Sequence, residues 1–145
     1  MAKVNPYLVF NGNCEAAFLF YKSVFGTEFS QISKFSDFPP ADGQEIVESD
    51  QNLIMHVCLP ISNETTLFGS DANSTSGDVK MGDNISISID AESKEMADTL
   101  FNGLSAGGII KMPIETTFWN AYFGMFQDKF GIHWMVNFDF PTENN

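Results

Sequence analysis

The chain has 145 residues and a formal net charge of -12, because it contains seven basic and nineteen acidic residues. All seven basic residues are lysines, so the chain lacks the planar guanidinium that grips carboxylates and phosphates with paired hydrogen bonds. The average field of such a chain repels nucleic acids and anionic membrane surfaces, and it disfavours a phosphonate ligand. The length fits one domain with a hydrophobic core of its own.

The first half of the sequence predicts one helix among four strands. Turn residues Asn11-Gly12 close the first strand, and apolar residues at helical spacing follow until Gly26. The segment Ser36–Gly43 is rich in Asp, Pro and Gly, which indicates a loop. The predicted elements are a strand over Tyr7–Phe10, a helix from the N-cap Asn13 to Gly26, and strands over Glu28–Phe35, Leu53–Ile61 and Thr65–Ser70.

A Ser/Gly/Asp-rich linker, Asp71–Asp83, is the one credible internal boundary, and the same order of elements restarts after it. Ile85–Asp90 alternates strictly between isoleucine and polar residues, which is typical of a half-buried strand. The predicted elements are that strand, a helix over Glu92–Leu104, and strands over Ile109–Met112, Thr117–Phe126 and Ile132–Phe138.

The two halves match one another at an offset of about 80 residues. At this offset Ala17 falls on Ala97 and Tyr21 on Phe101. Any two strand-helix units share some of this pattern, but the order of elements matches as well as the positions. The sequence therefore predicts two βαβββ modules within one small domain.

The two cysteines, Cys14 and Cys58, form neither a disulfide framework nor a cluster with metal-ligand spacing, so both are predicted to be reduced. The N-terminal residues lack the apolar core and cleavage site of a secretory signal, and no apolar run reaches membrane-spanning length. A cytoplasmic location is the expectation.

Several motifs together resemble one protein family. They lie in Pro6–Phe10, Glu15–Gly26 and Leu67–Ala72, and in the aromatic signature of Phe118–Trp134, FWxxYFGxxxDxFGxxW. This pattern resembles the PhnB-like branch of the vicinal-oxygen-chelate (VOC) superfamily, which includes glyoxalases, bleomycin resistance proteins and dioxygenases. The resemblance covers nearly the whole chain.

The resemblance implies an α+β fold in which two βαβββ modules form an open, incomplete β-barrel. Residues 1–145 would form a single VOC-type domain, with module 1 at about 4–71, module 2 at about 84–140 and the linker between them. Proteins of this type usually assemble as homodimers, and a homodimer is therefore expected here.

Superfamily enzymes bind a divalent metal through His, Gln or Glu on the first and last strands of each module. The corresponding positions of this chain carry poor ligands for such an ion, since an amide is a weak donor and a thioether suits soft metals. These residues are Asn5, Pro6 and Tyr7, then Phe68 and Gly69, then Asn84 and Met135. The resemblance thus predicts no metal and no cofactor at the usual site, and a divalent metal only at an atypical one.

Two histidines, His56 and His133, carry the possible acid-base chemistry. His56 shares a strand face with Cys58, where a histidine is most often a core or cavity-wall residue and less often a base. His133 shares its strand face with Met135, while Trp134 is predicted to point to the opposite face. A cavity-wall role is favoured for both histidines, and catalysis remains the alternative.

The last strands are rich in aromatic residues. Most of these rings are predicted to pack in the hydrophobic core, and the others to form a surface that contacts a ligand. Trp119 or Phe123 is expected to line a ligand cavity. The acidic loop between Asp37 and Asp50 lacks the spacing of a calcium loop and is predicted to be solvated. The predicted pocket-lining residues are Tyr7, His56, Asn84, Trp119, Phe123, His133 and Met135.

Two functions from different classes fit these observations. The first is a protein that binds a small neutral or apolar molecule in its barrel without the usual metal. The alternative is a metal-dependent lyase, isomerase or dioxygenase-like enzyme that uses His56 or His133. A third possibility is that the aromatic residues fill the barrel themselves. The sequence contains no methyl-donor motif, phosphate loop or nucleophile elbow, and so gives no support to a methyltransferase.

Overall fold

Each half of the chain folds as a compact unit in which one helix packs on one four-stranded sheet. The structure is a computed structural model that describes residues 2–38, 40, 43 and 45–142. The units are Met1–Lys80 and Met81–Asn145. Part of the loop predicted over 36–43, including Asp42, lies outside the described residues. The described part of the chain contains no helix that is long and apolar enough to cross a bilayer.

The first unit follows the predicted βαβββ order. Its sheet has the strand order β1-β4-β3-β2, with β1 parallel to β4 and the other neighbours antiparallel. Short 3-10 helices at Phe35–Asp37 and Glu48–Asp50 lie between β2 and β3. The elements are β1 (Tyr7–Phe10), α1 (Cys14–Phe25), β2 (Gln31–Lys34), β3 (Ile54–Pro60) and β4 (Thr66–Asp71).

The second unit repeats this topology, with the strand order β5-β8-β7-β6 and again a parallel pair of first and last strands. Strand β5 and helix α2 begin 80 positions after β1 and α1, so the predicted internal repeat is confirmed. The elements are β5 (Ile87–Asp90), α2 (Lys94–Ser105), β6 (Ile109–Thr116), β7 (Ala121–Gln127) and β8 (His133–Asp139).

Several predicted boundaries were wrong by a few residues. Strand β2 begins at Gln31 and not at Glu28. Thr117–Asn120 forms a turn and not the start of a strand, because the Thr117 amide bonds the carbonyl oxygen of Ala121 and Asn120 adopts a left-handed φ of 64°. Ile85, predicted as a strand residue, precedes β5 and is 77% exposed.

Each helix packs on its sheet through aromatic rings that cross a strand glycine. In the first unit Phe18 lies against Gly69, where an added Cβ would come within 2.5 Å of the Phe18 ring. In the second unit Phe101 lies against Gly124 in the same way, at 2.6 Å. Any larger side chain at these positions would push the helix away from the sheet, since packed interiors leave no spare volume.

Two buried carboxylates tie distant backbone segments together, and both belong to the motifs that carry the resemblance. Asp128 accepts hydrogen bonds from the amides of Phe130 and Ile132 and from the Trp134 indole Nε1, at 2.8 to 3.0 Å. The aromatic signature around Asp128 is therefore at least partly a folding device, in which a carboxylate closes the β7–β8 turn and positions a buried indole.

In the first unit, the Asp71 carboxylate likewise ties distant backbone segments together. The sequence placed it at the start of the linker, but it ends β4 and is buried. It accepts bonds from the amides of Gly12, Cys14 and Ile54 at 2.9 to 3.0 Å. Asn13 precedes α1 as predicted, but its side chain makes no capping bond, so the distant Asp71 satisfies the helix start instead.

Candidate functional site

Three rings lie side by side on the face of the first sheet that points away from α1. We call Tyr7, His56 and Phe68 the aromatic triad. The rings are nearly parallel: Tyr7 and Phe68 are 6.4 Å apart at 10°, His56 and Phe68 5.8 Å at 22°, and Tyr7 and His56 5.8 Å at 27°. The strand order brings them together, because β4 lies between β1 and β3 and Tyr7 is the register partner of Phe68.

The triad has a polar edge. The Cys58 sulfur lies 3.2 Å from Nε2 of His56, and the Tyr7 hydroxyl lies 3.4 Å from Nδ1 of the same ring. Tyr7 is 51% exposed and Cys58 only 8%, so the group runs from open surface into the protein. Burial raises the pKa of the Cys58 thiol, and a hydrogen bond with the Ser30 side chain opposes this shift.

The positions at which the resemblance expects metal ligands in the first module are occupied by this stack. Tyr7 and Phe68 face one another across the β1–β4 pair, while Gly69 points toward α1. Asn5 is engaged in the fold, since its side-chain oxygen accepts a bond from the Thr66 amide at 3.0 Å. Within residues 2–38, 40, 43 and 45–142, no three His, Cys, Asp or Glu side chains come together as a metal site would require.

In the second unit, Met135 lies on the sheet face that points away from α2. Its register partners are Ser88 on β5 and Met125 on β7. His133 pairs with Gln127, and Phe123 lies two residues from Met125 on the same face. Trp134 points to the opposite face and is buried, as the alternation predicted.

Two predicted pocket residues lie outside the strands. Trp119 is in the β6–β7 turn, half exposed, and its ring is 6.0 Å from that of Phe123. The neighbouring Phe118 is 97% exposed. Asn84 is exposed in a bend before β5, and the β5 residue that pairs with Met135 is Ser88. The predicted set therefore forms two groups, one in each unit.

A polar groove of about 400 Å³ lies elsewhere in the first unit, lined in part by Asn11, Asp50, Leu53 and Ser74. Asp50 is buried, and its carboxylate accepts bonds from the backbone amide and hydroxyl of Ser74 at 3.0 and 2.6 Å. The prediction that the acidic loop is solvated was therefore wrong for Asp50, because this carboxylate holds the chain after β4 in place.

Sequence reasoning treated Phe68 only as a failed metal ligand and Cys58 only as a reduced thiol. The structure shows both as neighbours of His56. The alternation along β3 already placed Cys58 on the His56 face. The pairing of β4 with β1 and β3 is the long-range information that the sequence pattern lacked.

Comparison with known proteins agrees with this architecture. A family model described as "3-demethylubiquinone-9 3-methyltransferase" matches residues 2–137. The chain belongs to this family. Within the VOC superfamily it represents the PhnB-like branch, as the resemblance implied.

Solved structures support the assignment. Protein PA1353 from Pseudomonas aeruginosa is 38% identical, with a TM-score of 0.83 over 96% of this chain and 98% of that one. A putative 3-demethylubiquinone-9 3-methyltransferase, PhnB protein, from Bacillus cereus is 26% identical, with a TM-score of 0.71 over 94% and 99%. A glyoxalase/bleomycin resistance protein/dioxygenase family enzyme from Burkholderia phytofirmans PsJN shares the fold at 14% identity, with a TM-score of 0.59 over 95% and 97%. The predicted fold class is thereby confirmed.

Proposed function

We propose that this PhnB-like protein binds a small, uncharged, flat molecule on the aromatic triad without a metal ion. The observation that carries the proposal is the contact of three rings, Tyr7, His56 and Phe68. Two of them, Tyr7 and Phe68, stand on β1 and β4 at positions where the superfamily places metal ligands. A partly exposed aromatic surface offers a flat ligand dispersion contact and offset stacking, which is worth about 0.5–1.5 kcal/mol per ring pair beyond area burial.

The polar groups near the triad favour a neutral ligand over an anion. The His56 imidazole, the Tyr7 hydroxyl and the Cys58 thiol each offer a hydrogen bond without a fixed positive charge. The chain has no arginine, and Lys22 lies on α1, on the other side of the sheet from the triad, where it is paired with Glu28 at 3.2 Å. A phosphonate or carboxylate on the triad would lose its hydration, and these three groups offer it no fixed positive charge in return.

Calorimetric titration with three probes tests this proposal: 1-naphthol, 1-naphthyl phosphate and cyclohexanol. Naphthol should bind at least tenfold more tightly than either of the others, and a chelator should not change its affinity. Tyr7→Ala and Phe68→Ala should weaken naphthol binding. Phe38→Ala removes a comparably exposed ring elsewhere in the first unit and should leave it unchanged. Tighter binding of the phosphate, or loss of binding with chelator, would contradict the proposal.

The alternative function is an enzyme, and the structure favours His56 over His133 as its base. His56 lies within hydrogen-bond reach of both Tyr7 and Cys58, which is the arrangement of a base held by a third group. The family description names a methyltransferase, but we do not extend that activity to this chain because its sequence has no methyl-donor motif.

We further propose that the protein is a cytoplasmic homodimer that binds neither nucleic acid nor membranes. Its net charge of -12 supports the lack of polyanionic partners. Light scattering coupled to size-exclusion chromatography should give twice the 16.1 kDa chain mass. A monomer at micromolar concentration would contradict the dimer.

A further inference from the structure

The polar edge of the aromatic triad has the geometry of an activated nucleophile. The Cys58 thiol lies 3.2 Å from Nε2 of His56, and Nδ1 of that ring lies 3.4 Å from the Tyr7 hydroxyl. A nucleophile beside a base, with the base held by a third group, is the arrangement found in covalent catalysis. The chain's other cysteine, Cys14, lacks this setting, since it is fully buried at the start of α1 beside Asp71.

One tautomer of His56 matches both of its contacts to the transfer of a proton from the thiol. If the thiol donates to Nε2, then the neutral ring carries its own proton on Nδ1 and donates it to the Tyr7 oxygen. The protons of the Cys58 thiol and of the His56 ring then each have an acceptor, Nε2 and the Tyr7 oxygen respectively. The ring is poised to accept one more proton at Nε2, from the thiol.

We propose that Cys58, with His56 as its base, adds covalently to an electrophilic ligand of the activated-alkene class, such as an α,β-unsaturated carbonyl compound, held on the triad. This inference rests on the proposed function, because the rings of Tyr7 and Phe68 would hold the flat conjugated system beside the sulfur. The site would thereby capture a reactive small molecule.

The step is balanced without any further reactant. The Cys58 sulfur forms a bond to the β-carbon while its proton passes to His56 Nε2, and the alkene π electrons move toward the carbonyl to give an enolate. His56 then returns the proton to the α-carbon. The product is a thioether, and His56 is again neutral.

Burial makes this base necessary. Because burial raises the pKa of the Cys58 thiol, the resting group holds its proton near neutral pH. A thiolate of high pKa is also the stronger nucleophile once formed. The low exposure of Cys58, at 8%, further restricts attack to a ligand that first seats on the triad.

The experiment uses N-phenylmaleimide as the electrophile and intact-mass spectrometry as the readout at neutral pH. The wild-type chain should gain one adduct at a rate at least tenfold above that of free N-acetylcysteine. Cys58→Ser should abolish the adduct and Cys14→Ser should retain it. His56→Phe keeps a ring in the stack but removes the base, and should slow the reaction about 100-fold. Circular dichroism confirms that each variant is folded.

Saturated N-phenylsuccinimide, which cannot alkylate, separates this inference from the proposed function. If it shifts the NMR signals of the triad while Cys58 stays inert to the maleimide, the covalent step is overturned and the binding surface stands. If Cys58 reacts equally fast with N-methylmaleimide and N-phenylmaleimide, and His56→Phe slows both, the thiol-base pair stands and the aromatic surface fails. Equal rates in wild type and His56→Phe would overturn the inference.

Discussion

Asp128 offers the sharpest test of how the aromatic signature holds the second unit together. The carboxylate is 3% exposed and accepts bonds from two backbone amides through Oδ1 and from the Trp134 indole through Oδ2. The substitution Asp128→Asn retains one acceptor for the amides but places its NH₂ group against the Trp134 Nε1–H, where the two heavy atoms are now 2.8 Å apart. Two donors would then meet in a buried place.

The expected cost follows from the partners that are lost. A buried donor left without an acceptor costs about 1–3 kcal/mol, and bonds to a charged group contribute about 1.5–3 kcal/mol each. The indole is buried and cannot turn to water, whereas Phe130 and Ile132 are only partly buried. Asp128→Asn should therefore lower the free energy of unfolding by about 2 kcal/mol, and Asp128→Ala by about 3 kcal/mol.

Urea unfolding followed by far-UV circular dichroism measures these values, with an unchanged m-value as the check that the unfolded state is the same. Trp134→Phe is the matched partner, because it removes the indole N–H and keeps a ring. In that background Asp128→Asn should cost about 1–2 kcal/mol less than in wild type. An equal cost of Asp128→Asn in both backgrounds would refute the reasoning.

Three further outcomes are expected. Protein purified without chelators should contain less than about 0.1 equivalent of transition metal by elemental analysis, and one equivalent would contradict a metal-free site. Gly69→Ala should destabilise the chain by about 1–3 kcal/mol in urea unfolding, because its Cβ would meet the Phe18 ring; wild-type stability would contradict this packing. The hydrogen bond to Asp98 raises the pKa of Tyr122, so any stability it adds is complete below the ordinary tyrosine pKa and is lost as the pH rises through the folded value. Asp98→Asn should lower the pKa of Tyr122 in an ultraviolet pH titration, and an unchanged midpoint would contradict the assignment.

The architecture could be predicted from the sequence because its determinants are local and repeated. The 80-residue offset between β1 and β5, and between α1 and α2, was visible in the apolar pattern alone. The period-two alternation of β8 placed His133 and Met135 on one face and Trp134 on the other. For apolar residues in a periodic pattern, the neighbouring sequence is enough to predict which face of the strand or helix each side chain occupies.

The details that sequence reasoning missed depend on partners far along the chain. Asp71 looked like a linker residue, yet it receives amides from the start of α1 and from β3. Asp50 looked solvated until its contact with Ser74 was seen. The local sequence around a polar residue predicts that its side chain is exposed to solvent. Only the fold shows which buried hydrogen-bond donors that side chain satisfies.

In the candidate site, too, some features follow from the local sequence and others depend on residues far along the chain. The sequence predicted Tyr7 and His56 as candidate pocket residues, but their contact with Phe68 and Cys58 requires the order of β1, β4 and β3 in the sheet. Parallel pairing of the first and last strands joins positions about 60 residues apart, such as Tyr7 and Phe68. No local pattern specifies that pairing.

Aromatic ¹H–¹³C NMR spectra of chelator-treated protein, recorded during titration with 1-naphthol, test the central claim most directly. Ring currents from the bound ligand should shift the signals of Tyr7, His56 and Phe68 without added metal, while the signals of Phe38 stay in place. If the triad signals stay fixed in the metal-free protein and move only after Zn²⁺ or Mn²⁺ is added, the proposed metal-free aromatic site is contradicted.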